Sequence, residues 1–330
     1  MPKLNNKEVG PHGLGLMGFT WRHHPVAHDQ AFAAMQAALT NNTTFWNGGE
    51  FYGSPEVNSM TLLRAYLEEY PDDADRFTLC IKGGALPNLL RPDSSPQNIR
   101  RSIDFILSQL GPRRQYIDIF ETARRDPSVP LEETFGVIDR EYIQTGKVGG
   151  IGLSEVSAET IDKAAAITKI AAVEFELSLF CIDPLENGIA EACARHNIPL
   201  VAYSPLGRGI LTCKIRTVDD FPEGDFRRFL PRFQPGNLEV NLQLVDRMKV
   251  MAEKRGCTPS QFALGWLTSL QRRPGMPTII PIPGATTAQR VEENSVVIDL
   301  TDDEMEEIDA ILAKFRVIGE RYQEGVPINT

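Results

Sequence analysis

Two residues in the first quarter of the chain carry side chains that together can move a proton. Tyr52 lies in the stretch TFWNGGEFYG, residues 44–53, just after a short apolar run, and Lys82 ends a second run in CIKGG, residues 80–84. A phenol ionises near pKa ~10 and is a poor acid at neutral pH unless something stabilises its anion. An ammonium beside it does so. A lysine at the end of an apolar strand is costly without such a purpose, although the same residue alone also suits a stem snorkelling to a rim. Asn47, five residues before Tyr52, reads as a buried polar group on the same unit.

Two further stretches have the chemistry of an anion cradle. In PIPGATTAQRVEEN, residues 281–294, a strand ends at a Pro-Gly turn. Thr286 is placed there to cap a helix that carries Arg290, Glu293 and Asn294. A capped helix N-terminus with a guanidinium nearby binds phosphate, and the bland alternative is a plain connection with a surface arginine. In AYSPLGRGILTCK, residues 202–214, an aromatic ends a strand, small residues allow close backbone approach, and Lys214 stands at the far side.

These residues need a scaffold, and the apolar pattern supplies one. Short apolar runs recur at 14–19, 43–46, 77–81, 116–120, 148–153, 171–177, 198–203 and 278–282. Each has the length of a buried strand. Amphipathic stretches separate them, as in 96–110, where Ile99, Ile103, Ile106, Leu107 and Leu110 share a face behind Ser95 as N-cap and Pro96 at the first helical position. Eight such units without a mid-chain linker predict one α/β domain over 1–330, a single (β/α)8 TIM barrel, with a doubly wound sheet as runner-up. A long loop after strand 7, residues 206–236 with five arginines, an extra acidic C-terminal helix at 302–314 and a tail are additions to the repeat. GLGLMG at 13–18 matches a dinucleotide fingerprint literally, but its polar upstream flank and proline-bearing downstream flank argue against that use.

Composition narrows the partners. A net charge of −10 over 330 residues argues against nucleic acid or an anionic membrane. No leader or membrane-spanning run is expected. The five scattered cysteines read as free thiols. The cluster RHHPVAH holds His23, His24 and His28, but with a proline inside and no carboxylate or cysteine nearby it does not predict a metal site. A monomer or weak oligomer in the cytoplasm or nucleus is expected.

The motifs FWNGGEFYG, IKGG, GKVGGIGLSEVS, AYSPLGRGILT and IPGATTAQRVEEN, in this order over nearly the whole chain, resemble those of the aldo-keto reductases. The resemblance implies a barrel that binds NADPH without a Rossmann domain and reduces a carbonyl, with a Tyr proton donor supported by Lys, Asp and His. It makes Tyr52 the donor and Lys82 its electrostatic partner. It stacks Tyr203 on the nicotinamide and turns Ser154 and Glu174 to the carboxamide. Ser204, Leu206, Gly209 and Lys214 are implied at the pyrophosphate, and Gly284, Thr286, Arg290, Glu293 and Asn294 at the adenosine end. Some family members carry a Lys where this chain has Gly284, which leaves Arg290 as the main cation for the 2′-phosphate; NADPH is still expected over NADH.

The departures from the family pattern are specific. Its Asp falls on Asn47, its His on Ala123 of DIFETARRDP, its carboxamide-binding Ser-Asn on Ser154-Glu155, its Gln on Glu174, and the Gly of its L-T-G-K on Cys213. With no charge at position 47, the pull of Lys82 on Tyr52 is expected to be less compensated, which lowers the phenol's pKa. Glu121, two residues before Ala123 and so on the same strand face, is placed to supply the missing charge. NGGEFYG together with FETARRD resembles the fungal pyridoxal reductase branch, which suggests reduction of pyridoxal to pyridoxine. Trp21, His23 and Ala123 are candidate substrate contacts, although the histidine reads first as a solvated loop residue. Reductases of other aryl aldehydes or ketones, and a catalytically weak NADPH-binding regulatory subunit, are the competing expectations. The intact Tyr52–Lys82 pair argues against the second.

Overall fold

Each of the eight apolar runs contributes a strand to one parallel sheet. The computed structural model describes residues 1–86, 91–323 and 328–330. Its barrel strands are β1 (Gly13–Gly15), β2 (Phe45–Gly49), β3 (Thr78–Gly83), β4 (Ile119–Thr122), β5 (Ile151–Ser154), β6 (Ile170–Glu176), β7 (Leu200–Tyr203) and β8 (Ile279–Pro281). They pair in chain order. Gly15 bridges in parallel to Gly284, just past β8, and closes the barrel. Sequential order with closure rules out the doubly wound sheet, whose order reverses at a switch point. GLGLMG is β1 followed by one helical turn, Met17–Thr20.

Parallel neighbours need long crossovers, and helices supply them. They are α1 (His28–Thr40), α2 (Ser59–Glu69), α3 (Pro96–Leu110), α4 (Leu131–Val137), α5 (Ala158–Ile167), α6 (Ile189–Arg195), α7 (Asn237–Arg255), α8 (Pro259–Leu270), α9 (Ala288–Ser295) and α10 (Asp302–Lys314). In α3 the Ser95 hydroxyl accepts from the Asn98 N–H, Pro96 opens the helix, and Ile99, Ile103, Ile106 and Leu110 are buried. Leu107 is only partly covered.

Alternation along the strands sorts the side chains. Phe45, Cys80, Ile119, Ala172, Val201 and Ile280 fill the lower interior, where Leu4 and Val9 from the N-terminal hairpin close the base. Two residues further along the same strands the interior becomes polar, with Asn47, Lys82, Glu121, Glu174 and Tyr203 in place of hydrophobes. The opposite parity, Trp46, Leu79, Ile81, Phe120, Val173 and Phe175, packs under the helices. The polar layer thus lies toward the C-terminal ends of the strands, where barrel enzymes keep their chemistry.

The connection between β7 and α7 is long, and its arginines hold it down. Arg208 pairs with Glu176, Arg216 with Asp246, Arg227 with Asp225 and Arg228 with Asp219. Arg232 donates to the Phe180 and Gly319 carbonyls. After α10 the chain crosses the open end of the barrel and brings Arg321 and Tyr322 over its mouth. Thr330 then pairs through its backbone with Glu155 and Ser157, beyond β5.

Candidate active site

Tyr52 owes its position to the glycines around it. A Cβ on Gly49 would lie 3.1 Å from three atoms of the Tyr52 ring, so the bare backbone at the end of β2 is the surface on which the ring rests. Gly53 has φ +126 and turns the chain back toward Asn58, the N-cap of α2. The Thr20 hydroxyl holds the Tyr52 carbonyl at 2.7 Å. Trp21 lies across the ring with centroids 5.4 Å apart, and its indole is 41% exposed at the mouth.

Beneath the tyrosine lies a closed polar cluster. Lys82 donates to Asn47 Oδ1 at 2.9 Å and pairs with Glu174 at 2.6 Å and with Glu121 at 3.3 Å. Asn47 Nδ2 donates to the second Glu174 oxygen at 2.7 Å. Lys82, Asn47, Glu121 and Glu174 are all buried. Burial alone would pull Lys82 down, yet the two carboxylates hold it well above the usual lysine range. Burial, then repulsion from Glu174, pushes Glu121 up to about 8, so it keeps its proton at neutral pH. Cys80 donates its thiol to Glu121 at 3.2 Å.

Glu121 therefore does reach Lys82, but Glu174 is the closer partner. These charges also reverse the expectation for Tyr52. Burial pushes its phenol up to about 12, the pull of Lys82 opposes this, and Glu174 and Glu121 offset part of that pull. The carboxylate absent from position 47 is replaced beside Lys82 by Glu174 of β6. Lys82 Nζ stands 6.0 Å from the Tyr52 ring centroid.

Ser154 is buried at the end of β5, and its hydroxyl accepts from Arg124 Nη1 at 3.3 Å. Both Glu174 oxygens face Lys82 and Asn47 rather than the mouth. Ala123, 7% exposed, ends the β4 face that carries Glu121. His23 is exposed in the loop after β1, its ring against His24. Among the described residues no group of three His, Cys, Asp or Glu side chains converges for a metal.

The remaining predicted binding residues lie on two neighbouring rim loops, because β7 and β8 are paired. Ser204 with φ +49, Leu206 and Gly209 with φ +102 turn tightly after β7, and Lys214 is exposed beyond them. Gly284, Thr286, Arg290, Glu293 and Asn294 follow β8. The helix cap is Thr287, one residue later than expected; its hydroxyl accepts from the Arg290 N–H, while the Thr286 carbonyl accepts from Gln30. Among the described residues neither Lys214 nor Arg290 is in an ion pair, in contrast to Arg208, Arg216, Arg227 and Arg228. A cation on the loop after strand 7 and another in the first turn of the helix after strand 8, at that helix's N-terminus, suit a phosphorylated ligand.

A second cluster at the mouth escapes sequence reading. The Tyr203 hydroxyl meets Tyr322 at 2.6 Å and donates to Glu155 at 2.8 Å. Burial would raise Glu155, but two bonds from Arg321, at 3.0 and 2.9 Å, hold it below the usual carboxylate range. Arg208 covers the Tyr322 ring at 4.5 Å. Nothing in the spacing of the chain points to these contacts. The one sequence signal is Glu155 itself, which stands where the family motif has Asn and adopts a positive φ right after β5.

Comparison with known proteins adds to this geometry. A model of the Aldo/keto reductase family matches residues 12–313. A Schizosaccharomyces pombe protein named "Probable pyridoxal reductase 2" is 38% identical over 329 residues, covering 98% of this chain and 97% of that protein. The aldo-keto reductase yakc of the same yeast, named with NADP(+), is 34% identical over 331 residues, covering 98% and 94%. Among solved structures, a glycerol dehydrogenase from Gluconobacter oxydans superposes with a TM-score of 0.79 at 24% identity, covering 97% of this chain and 95% of that one, a likeness of fold.

Proposed function

Since this chain belongs to the aldo/keto reductase family, we propose that it is an NADPH-dependent reductase of a small aldehyde, pyridoxal foremost, with Tyr52 as proton donor. The observation that carries this reading is a buried phenol with a buried lysine 6.0 Å from its ring centroid, the lysine itself held by Glu174 at 2.6 Å and Glu121 at 3.3 Å. When bound, the reduced nicotinamide supplies the hydride. Tyr52 Oη then gives its proton to the carbonyl oxygen as negative charge develops there. Lys82 acts at that moment, because its fixed ammonium stabilises the tyrosinate left behind. Asn47 orients the ammonium.

The chain's own residues account for the cofactor's parts. Tyr203 offers a ring at the end of β7 for the nicotinamide, with Ser154 beside it. Ser204, Leu206, Gly209 and Lys214 take the pyrophosphate. Gly284, Thr286, Arg290, Glu293 and Asn294 take the adenosine end, with Arg290 on the 2′-phosphate. Trp21, His23 and Ala123 border the space left for the substrate. The absence of a His at position 123 suits an aldehyde that needs little help with protonation. In pyridoxal the ring hydroxyl adjacent to the aldehyde can share a hydrogen bond with the carbonyl oxygen. The relative named as a pyridoxal reductase supports that substrate.

The test is NADPH consumption with pyridoxal beside 4-nitrobenzaldehyde. The proposal expects turnover of both and higher kcat/KM for pyridoxal. Tight NADPH binding with neither aldehyde reduced would contradict it and favour the regulatory reading.

A further inference from the structure

Lys82, Asn47 and Glu174 form a ring of three contacts in which each side chain touches the other two. Lys82 donates to the Asn47 carbonyl oxygen at 2.9 Å, Asn47 donates through Nδ2 to Glu174 Oε2 at 2.7 Å, and Glu174 Oε1 meets Lys82 at 2.6 Å. The first position beside this glutamate must accept from an ammonium and donate to a carboxylate at once, which an asparagine does and an ionised aspartate cannot. An aspartate at 47 would set one carboxylate oxygen against another at hydrogen-bond distance. A glutamine at 174 would set an NH2 group against either the amide or the ammonium. Each single change leaves one buried repulsion, and changing both together restores every contact with donor and acceptor exchanged.

We infer that Glu174 is the counter-ion of Lys82, and that Asn47 and Glu174 are a matched amide–acid pair that positions this lysine under Tyr52. This rests on the reading of Tyr52 and Lys82 given above. It assigns the paired carboxylate to β6, on the opposite side of Lys82 from β2. The ionisable groups around Lys82 are Tyr52 from the loop after β2, Cys80 on its own strand, Glu121 on β4 and Glu174 on β6, with Arg124 also acting on Tyr52. Two ionised glutamates against one lysine would leave a net negative charge in the barrel. Glu174, which meets Lys82 at 2.6 Å and accepts from Asn47 at 2.7 Å, is its close partner. Glu121, which accepts from the Cys80 thiol and hydrogen-bonds Glu174, is the one that burial and Glu174 push toward the protonated form.

A four-member cycle tests this: wild type, N47D, E174Q and N47D/E174Q. Three quantities are read: kcat with pyridoxal, the melting temperature, and the titration of Tyr52 as a near-ultraviolet difference from the matching Tyr52→Phe protein. Each single variant is expected to lose about tenfold or more in kcat, to melt earlier and to shift the phenol's titration. The double variant is expected to recover to within about threefold of wild type and to regain the melting point and titration. A double variant as impaired as the two single losses multiplied overturns the inference. So does an E174Q protein that keeps kcat, melting point and titration but binds NADPH more weakly, because Glu174 would then be a cofactor contact. If N47D alone does not fold, a folded double variant supports the pairing and an unfolded one opposes it. Melting and titration need no substrate, so they decide the pairing even if wild type reduces neither aldehyde and the proposed function fails.

Discussion

At the scale of single residues, the site is a weak acid made usable by its neighbours. Tyr52, pushed up to about 12 chiefly by burial, is fully protonated at neutral pH and so can donate. Glu121 adds a pH dependence. As pH rises through about 8 it ionises and puts a second negative charge beside Lys82, and Tyr52 becomes a still weaker acid. The account predicts that kcat falls on the alkaline side from about pH 8, and that Glu121→Gln moves this fall to higher pH. Superimposable profiles would contradict it. The sign for stability follows from the same group. Its folded pKa is raised, so its contribution is fully present below the usual 4.5 and is lost as pH rises through about 8. Glu121→Gln should therefore gain stability over wild type across that window, checked by denaturant unfolding at several pH values.

Tyr52, Lys82 and Asn47 were legible at this scale, because they stand at strand ends in short motifs. The contact of Glu174 with Lys82 and Asn47 was not. Its hydrogen bond to Asn47 spans 127 positions, and no local pattern encodes it. The expected fall in the Tyr52 pKa was likewise wrong. It counted the charge missing at 47 but neither the burial of the ring nor the carboxylates arriving from β4 and β6.

At the scale of elements, the apolar runs foretold every barrel strand, and Ser95-Pro96 foretold the start of α3. The α9 cap moved from Thr286 to Thr287, since with two adjacent threonines the path of the chain after Gly284 decides which hydroxyl faces the helix. The tail was the least legible element. Arg321 finds Glu155 across 166 positions and clamps the tail to the loop after β5. Both side chains are buried, so Arg321→Met strips Glu155 of its guanidinium partner and leaves it the Tyr203 hydroxyl and the Glu176 N–H, at a cost of about 3 kcal/mol. Hydrogen exchange should then speed up by about a hundredfold in residues 315–323 and around Glu155, with the barrel strands unchanged. Unchanged exchange in the tail would show that Arg321 does not hold it.

At the scale of the whole molecule, the barrel separates stability from chemistry along its axis. The interior at the base is filled by hydrophobes and the candidate catalytic groups stand toward the mouth, an arrangement that alternation and strand order impose together. His12, buried before β1, tests the stabilising half. Neither ring nitrogen makes a well-formed hydrogen bond, and burial pulls its pKa down to about 4, only partly offset by the Asn294 backbone. A depressed folded pKa means the contribution is present above the usual 6.5 and is lost as pH falls toward 4. Acidification across that window should cost on the order of 3 kcal/mol through this residue. A His12→Phe protein should show a correspondingly flatter acid limb in denaturant unfolding. An unaltered limb would mean that His12 protonates freely in the fold.

The most direct test of the central claim compares wild type with Tyr52→Phe for NADPH consumption in the presence of pyridoxal, with NADPH binding measured in parallel. The account predicts intact binding and a loss of about a hundredfold or more in kcat, because the variant keeps the ring but not the proton. Turnover that survives the substitution would contradict it, since the proton would then come from water or from the substrate's own hydroxyl.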